Sequence, residues 1–313
     1  MSVSESTTVQ NRAGRPERSN VVGYLAVLAA TACWGTSGIF VKFIVTDTGI
    51  SALAMAFWRD MFTFVTLLLG VGLLRPDWLR VQRRDLTWMV ALGSISLGTF
   101  HVLWNLGVLI NGVAVSTVQQ AAVPVIVAMA AWLTWREPLT RRKIAAIALT
   151  FSGTLLISGV DALGDAQLDV PGLLIGLGIP AAYATFSLFG KQLAGRYHSL
   201  TILTYGFGFG ALTLLPFQLF TPQPWPVPGS SWLWLAALVG LSTIIPFSIY
   251  TFGLSQLAAS VASILAMTEI PLAYFYAYLL LGERLTIVQF GGAALVVSGV
   301  LLLSWRSWRI PAE

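Results

Sequence analysis

The chain has 313 residues, 56% of them hydrophobic and 10% charged, with a mean hydropathy of +0.78; ordinary soluble domains run at roughly 45–50% apolar and about 25% charged. That balance excludes a soluble globular protein and makes lipid the solvent for most of the chain. A net charge of +5 and a pI of 9.6 do not imply nucleic acid, because the cations fall between apolar segments, where they set orientation in a bilayer.

Residues 1–20 are polar and predict a disordered cytoplasmic tail. A hydrocarbon core about 30 Å thick takes roughly 20 apolar residues per helix. Ten such segments follow, at 21–44, 51–74, 86–110, 112–134, 143–160, 170–191, 200–220, 231–253, 256–281 and 286–305, with a second short cytoplasmic tail at 306–313. They predict an all-α integral membrane protein of ten transmembrane helices, with no room for a soluble domain. With the N-terminus inside, Arg12, Arg15 and Arg18, Arg75, Arg80, Arg83 and Arg84, Arg136, Arg141, Arg142 and Lys143, Lys191 and Arg196, and Arg306 and Arg309 all face the cytoplasm. Arg284 falls outside, and Lys42 and Arg59 lie within spans. The bias sets both termini inside, in a cell (inner or plasma) membrane, and the loop with Asp161, Asp165 and Asp169 but no cation falls on the opposite face. A single cysteine, Cys33, excludes an intramolecular disulfide. Ala32-Cys33 mimics the end of a lipoprotein signal, but the apolar run continues past it through Trp34 and Phe40.

The chain also repeats itself. Gly107 to Ser158 aligns without a gap on Gly253 to Ser304, a constant offset of 146 residues, pairing Glu137-x-Leu139-Thr140 with Glu283-x-Leu285-Thr286 and Ser152-Gly153 with Ser298-Gly299. Upstream, Gly23, Leu25, Phe40 and Lys42 align on Gly172, Leu174, Phe189 and Lys191 at an offset of 149, with Trp34 opposite Tyr183. Five spans per copy place the second copy upside down, so the expected organisation is two inverted five-helix repeats, 21–160 and 161–305. Inverted halves exchange conformations around a central site, which is how many secondary transporters achieve alternating access.

The first span reads Trp34-Gly35-Thr36-Ser37-Gly38-Ile39-Phe40-Val41-Lys42, the second holds an arginine, and each half closes on a proline-containing span, a Glu-x-Leu-Thr turn and a Ser-Gly span. This pattern resembles the drug/metabolite transporter superfamily in its ten-helix form with two EamA-type repeats, over essentially all of residues 21–305. The resemblance implies export of amino acids, related metabolites or drugs through a cavity formed by spans one to four and six to nine, with spans five and ten at the side. Members that export aromatic amino acids carry tyrosine and tryptophan in spans three, four and six. Phe100, His101, Trp104 and Tyr183 keep some of that character, whereas Ala121-Ala122-Val123 before Pro124 departs from it.

Ionisable groups inside a membrane cost at least a few kcal/mol and are functional candidates by default. Glu269 lies midway along span nine, two residues before Pro271, where it either binds a substrate amine or a proton or satisfies freed backbone groups. Arg59 lies about 12 Å below the outer end of span two at 1.5 Å per residue. It is a two-pronged clamp for a carboxylate, a snorkelling side chain, or the partner of Asp60 or Glu269. His101, Trp104 and Asn105 share one face of span three, and Ser116, Gln119 and Gln120 form a second polar face in span four; each face lines a cavity or bonds to another helix. Trp34 and Tyr183 at mid-depth, with Phe247, Tyr250 and Tyr274 in spans eight and nine, complete the substrate-site candidates, while Trp225, Trp232, Trp305 and Trp308 read as interfacial anchors. Pro124, Pro180, Pro246 and Pro271 kink spans four, six, eight and nine, and Gly153, Gly291, Gly292 and Gly299 mark close helix packing in spans five and ten.

The expected function is a secondary transporter of small organic solutes, exporting amino acids or related metabolites by alternating access, with proton coupling at Glu269. The expected partners are a small-molecule substrate and the bilayer, with no cofactor and no metal; monomer and homodimer both remain open. A drug or nucleotide-sugar carrier is the alternative within the fold. An intramembrane serine protease is the alternative outside it, because Gly35-Thr36-Ser37-Gly38 and His101-x-x-x-Asn105 resemble rhomboid motifs, but their order is reversed and the other histidine, His198, lies in a cytoplasmic loop. No zinc, phosphate-loop or aspartate-rich metal motif occurs in the sequence.

Overall fold

The computed structural model describes residues 20–159, 170–221 and 225–304, and all regular structure among them is helical. Both predicted tails, the Asp161–Asp169 loop, Trp305 and Trp308 lie outside the described residues. Fourteen α-helices are labelled in chain order: α1 Asn20–Trp34, α2 Ser37–Thr48, α3 Ala52–Leu74, α4 Arg83–Ala91, α5 Phe100–Gln120, α6 Val123–Trp135, α7 Arg141–Ser158, α8 Val170–Leu193, α9 Ser199–Leu214, α10 Gly229–Val239, α11 Ile245–Gln256, α12 Ala259–Ala266, α13 Glu269–Leu281 and α14 Ile287–Ser304.

Among the described residues eight helical stretches are long and apolar enough to cross a membrane, and α6 is a shorter apolar helix. Two local features separate this from ten expected segments. Arg83–Gln120 runs as one stretch of 38 residues, about 57 Å at 1.5 Å per residue and nearly twice the hydrocarbon thickness. Gly112, at φ 81° and ψ 162°, breaks it at the predicted junction; that conformation is open to glycine because it lacks a Cβ. α7 opens on Arg141, Arg142 and Lys143, which lowers its apolar content.

The breaks recur between the halves. α5 passes to α6 through Ala121-Ala122, and α12 passes to α13 through Met267-Thr268, 146 residues later. Wider π-helical turns occupy Leu92–Thr99 before α5 and Gly240–Ile244 before α11, the second falling within the stretch that matches the first. Such turns insert a residue into the i→i−4 ladder and rotate the side chains beyond them. Span one is interrupted at Gly35-Thr36, where the Thr36 and Ser242 hydroxyls hydrogen-bond at 2.8 Å.

Packing pairs each half with the other: α1 with α11, α3 with α9, α5 with α8, α6 with α12, and α7 with α14. The α7–α14 contact shows why small residues sit there. A Cβ on Gly153 would lie 2.6 Å from the Gly292 carbonyl oxygen, and one on Gly292 would lie 2.6 Å from that of Gly153, so the two backbones meet directly. The helix turns gather at two ends. At one, Asp85 accepts from Arg196 at 3.1 Å and from the Tyr197 hydroxyl at 2.8 Å, tying the 75–85 and 194–198 segments together. At the other, Asp47 accepts from Ser230 and Ser231, each at 3.2 Å.

Candidate solute-binding site

Three ionisable side chains meet deep between α3 and the start of α5. Arg59 Nη2 contacts His101 Nε2, Arg59 Nε lies 3.6 Å from Asp60 Oδ1, and His101 Nδ1 lies 3.5 Å from Asp60 Oδ2. The guanidinium is donor-only, so His101 Nε2 must offer its lone pair, which places the ring proton on Nδ1 facing Asp60. Asp60 is fully buried, and neither of its oxygens has a hydrogen-bond partner among the described residues. A buried charge of this kind persists only because a counter-charge, the Arg59 guanidinium, sits beside it. Asp60 entered the sequence reading only as a partner for Arg59. Its signal was a second ionisable residue in an otherwise apolar span.

Opposite in charge to Arg59 stands Glu269, the first residue of α13. The helix break at Met267-Thr268 puts its carboxylate at the positive end of a half-helix, where negative charge is favoured, and Pro271 is tolerated in the first turn because its missing N–H would have no intrahelical acceptor there. Glu269 and Arg59 are close enough to act electrostatically on each other, and Tyr183 on α8 feels both.

Aromatic rings line the same region. Tyr183 stacks on Phe100 at 4.8 Å between centroids, and Phe100 also neighbours His101 and Trp104. Trp34 packs edge-on against Phe247 at 4.9 Å and lies 5.1 Å from Tyr250. Tyr250 and Ser187 hydrogen-bond through their hydroxyls at 2.8 Å, whereas the buried Trp34 indole N–H has no acceptor among the described residues. Trp34, Tyr183, Ser187, Tyr250 and Met267 enclose a cavity of about 10 Å³, room for about one water molecule. Of the predicted residues, Trp34, Arg59, His101, Trp104, Tyr183, Phe247, Tyr250 and Glu269 therefore converge from six spans.

Asn105, Gln119 and Tyr274 are engaged by other contacts. Asn105 donates to the His101 carbonyl one turn back at 2.7 Å. Gln119 accepts from Asn111 at 3.3 Å and fills the space left by Gly176 on α8; Gln120 beside it is half-buried. Tyr274 lines a separate apolar groove with Leu28, Pro271 and Phe290. His198, the base that the protease reading would need beside Ser37, instead caps the start of α9 and stacks on Trp78 at 3.8 Å, while Ser37 starts α2. Lys42, placed within a span by the sequence, is half-exposed and pairs with Glu283 at 3.2 Å. Among the described residues no group of three or more His, Cys, Asp or Glu side chains is placed to hold a metal ion.

A polytopic helical protein with opposed charges and aromatic rings buried among its helices has the make-up of a membrane transporter. The signature of the EamA-like transporter family matches residues 21–159 and 170–305; the chain belongs to that family, within the drug/metabolite transporter superfamily, and is a transporter and not an enzyme. It is 27% identical over 298 residues to a Salmonella typhimurium protein described as the uncharacterized inner membrane transporter YicL, covering 92% of this chain and 96% of that one. It is 25% identical to an uncharacterized transporter of Archaeoglobus fulgidus, covering 88% and 97%, and 25% identical to the uncharacterized transporter YwfM of Bacillus subtilis, covering 90% and 93%. A solved structure 19% identical in sequence superposes with a TM-score of 0.76 over 95% of this chain and all of the other, which shows the shared fold.

Proposed function

We propose that this protein is a ten-span carrier of two inverted repeats that exports amino acids or closely related metabolites across the inner or plasma membrane. The observation that carries the substrate class is the opposition of Arg59 and Glu269 across an aromatic-lined centre. A guanidinium grips a carboxylate in two parallel bonds, and a carboxylate at a half-helix start receives an ammonium. Trp34 Nε1 adds an unused donor. Glu269 is also the proton-coupling group: when protonated it gives up its hold on the ammonium, and when ionised it restores it. Among the described residues the end with the 75–85, 136–143 and 191–196 segments holds every cation except Lys42, Arg59 and Arg284, which supports placing that end in the cytoplasm.

The test is transport in proteoliposomes with Arg59→Lys and Glu269→Gln. Arg59→Lys is expected to lower the apparent affinity for zwitterions by about tenfold or more, the loss of a two-pronged charged contact, while amines lacking a carboxylate are spared; equal loss for both would reject the clamp. Glu269→Gln is expected to abolish the response of transport to an imposed pH gradient. A retained response would reject coupling at this residue.

A further inference from the structure

The turns at 137–140 and 283–286 share one local conformation. Arg136 and Gly282, 146 residues apart, end α6 and α13 in the left-handed region at φ 56° and 68°. The Glu137 N–H donates to the Ala131 carbonyl and the Glu283 N–H to that of Ala277, each at 3.3 Å. Thr140 caps Lys143, and Thr286 caps Gln289, each at 3.3 Å.

The carboxylates nevertheless go to different places. Glu137 accepts from the N–H groups of Ala259 at 2.9 Å and Ser260 at 3.3 Å and from the Ser260 hydroxyl, so it caps the start of α12. Lys143 braces it, 3.6 Å from the carboxylate and 2.7 Å from Ser260 Oγ. Lys191 donates to the carbonyls of Leu254 and Leu257 at the end of α11. These groups are packed together, with Ala259 and Ser260 fully buried. Glu283 instead pairs with Lys42 on the surface, both side chains about half-exposed. The positions matching Ala259 and Ser260 are Val113 and Ala114, just after the Gly112 break, and Val113 is 59% exposed. Those matching Leu254 and Leu257 are Val108 and Asn111, and Lys191 matches Lys42.

We propose that the two Glu-x-Leu-Thr turns are alternating latches: Glu137 holds its end shut in this structure, and in the opposite conformation Glu283 leaves the surface to cap the N–H groups of Val113 and Ala114 while Lys42 moves to the carbonyls of Val108 and Asn111. This rests on reading the halves as inverted repeats of a carrier. The second latch is the weaker one, because Ala114 lacks the hydroxyl of Ser260 and Gln289 lacks the charge of Lys143. That difference favours the conformation described here, with the Glu137 end closed. An exposed Lys42–Glu283 pair contributes little by itself, so its loss to the moving latch costs little.

The test uses the full chain carrying Cys33→Ser, with spin labels on Leu109→Cys and Ile287→Cys at the Glu283 end, or on Leu139→Cys and Ser255→Cys at the Glu137 end. Interlabel distances are read by pulsed electron spin resonance. Glu137→Gln is expected to enrich a short distance at the Glu283 end and a long one at the Glu137 end. Adding Glu283→Gln is expected to cut the short-distance population by about fivefold, the effect of losing a helix cap. Should Glu137→Gln fail to fold, Ala114→Ser alone, which supplies the missing hydroxyl, is expected to raise that same population. Exchange of distances that ignores both Glu283→Gln and Ala114→Ser would overturn the latch and leave the inverted-repeat carrier standing; no exchange at either end would overturn both.

Discussion

Asp60 shows how one buried residue shapes the centre. It sits between Arg59 and His101 without a hydrogen bond of its own, so its contribution is charge, and removing it leaves a guanidinium facing a histidine in a low-dielectric interior. Breaking a buried ion pair from one side typically costs about 3–5 kcal/mol. Asp60→Ala is therefore expected to lower the thermal midpoint in detergent by several degrees and to weaken zwitterion transport, since Arg59 loses its anchor; an unchanged midpoint would show that Asp60 is not needed to hold the guanidinium. Arg59, Glu269 and the mid-depth aromatics were legible in the sequence because ionisable and aromatic residues are conspicuous in apolar helices. Asp60 was less so: neighbours in sequence point about 100° apart on a helix, and nothing in one sequence says that both flanks of Arg59 meet His101.

At the scale of elements, glycine and proline made most interruptions readable. Gly112 and the Pro271 region mark real breaks, and Gly153 and Gly292 mark a backbone contact. The π-helical turns at Leu92–Thr99 and Gly240–Ile244 were not legible, since a single inserted residue leaves the apolar pattern almost unchanged over one span. They matter to the site because they set the facing of His101, Trp104, Phe247 and Tyr250, which follow them. The α7–α14 contact gives a direct test: Gly292→Ala places a Cβ 2.6 Å from a carbonyl oxygen and 2.9 Å from Ile157, so the helices must separate. Overpacking of this kind costs about 1–3 kcal/mol. A fall in the thermal midpoint is expected with little change in substrate affinity, because the contact lies away from the central cluster, and a wild-type midpoint would mean that the helices do not cross this closely.

At the scale of the whole molecule, the repeat explains why each helix of one half packs on a helix of the other. No half has a closed core of its own: α1 leans on α11, α3 on α9 and α5 on α8. Under the alternating access proposed above, such an arrangement would rock without unfolding, because the elements that slide are already paired across the boundary. The sequence offsets of 146 and 149 carried the existence of two copies, while the pairing across halves required three dimensions. The central claim is that this membrane protein is a carrier with a site for zwitterions, and the most direct measurement is counterflow. Proteoliposomes preloaded with an unlabelled amino acid and diluted into a trace of the labelled one are expected to accumulate label transiently above equilibrium, in a protein-dependent way, for amino acids but not for sugars. Protein-dependent equilibration of labelled amino acids without any overshoot would contradict a carrier, and overshoot confined to sugars or nucleosides would contradict the zwitterion site.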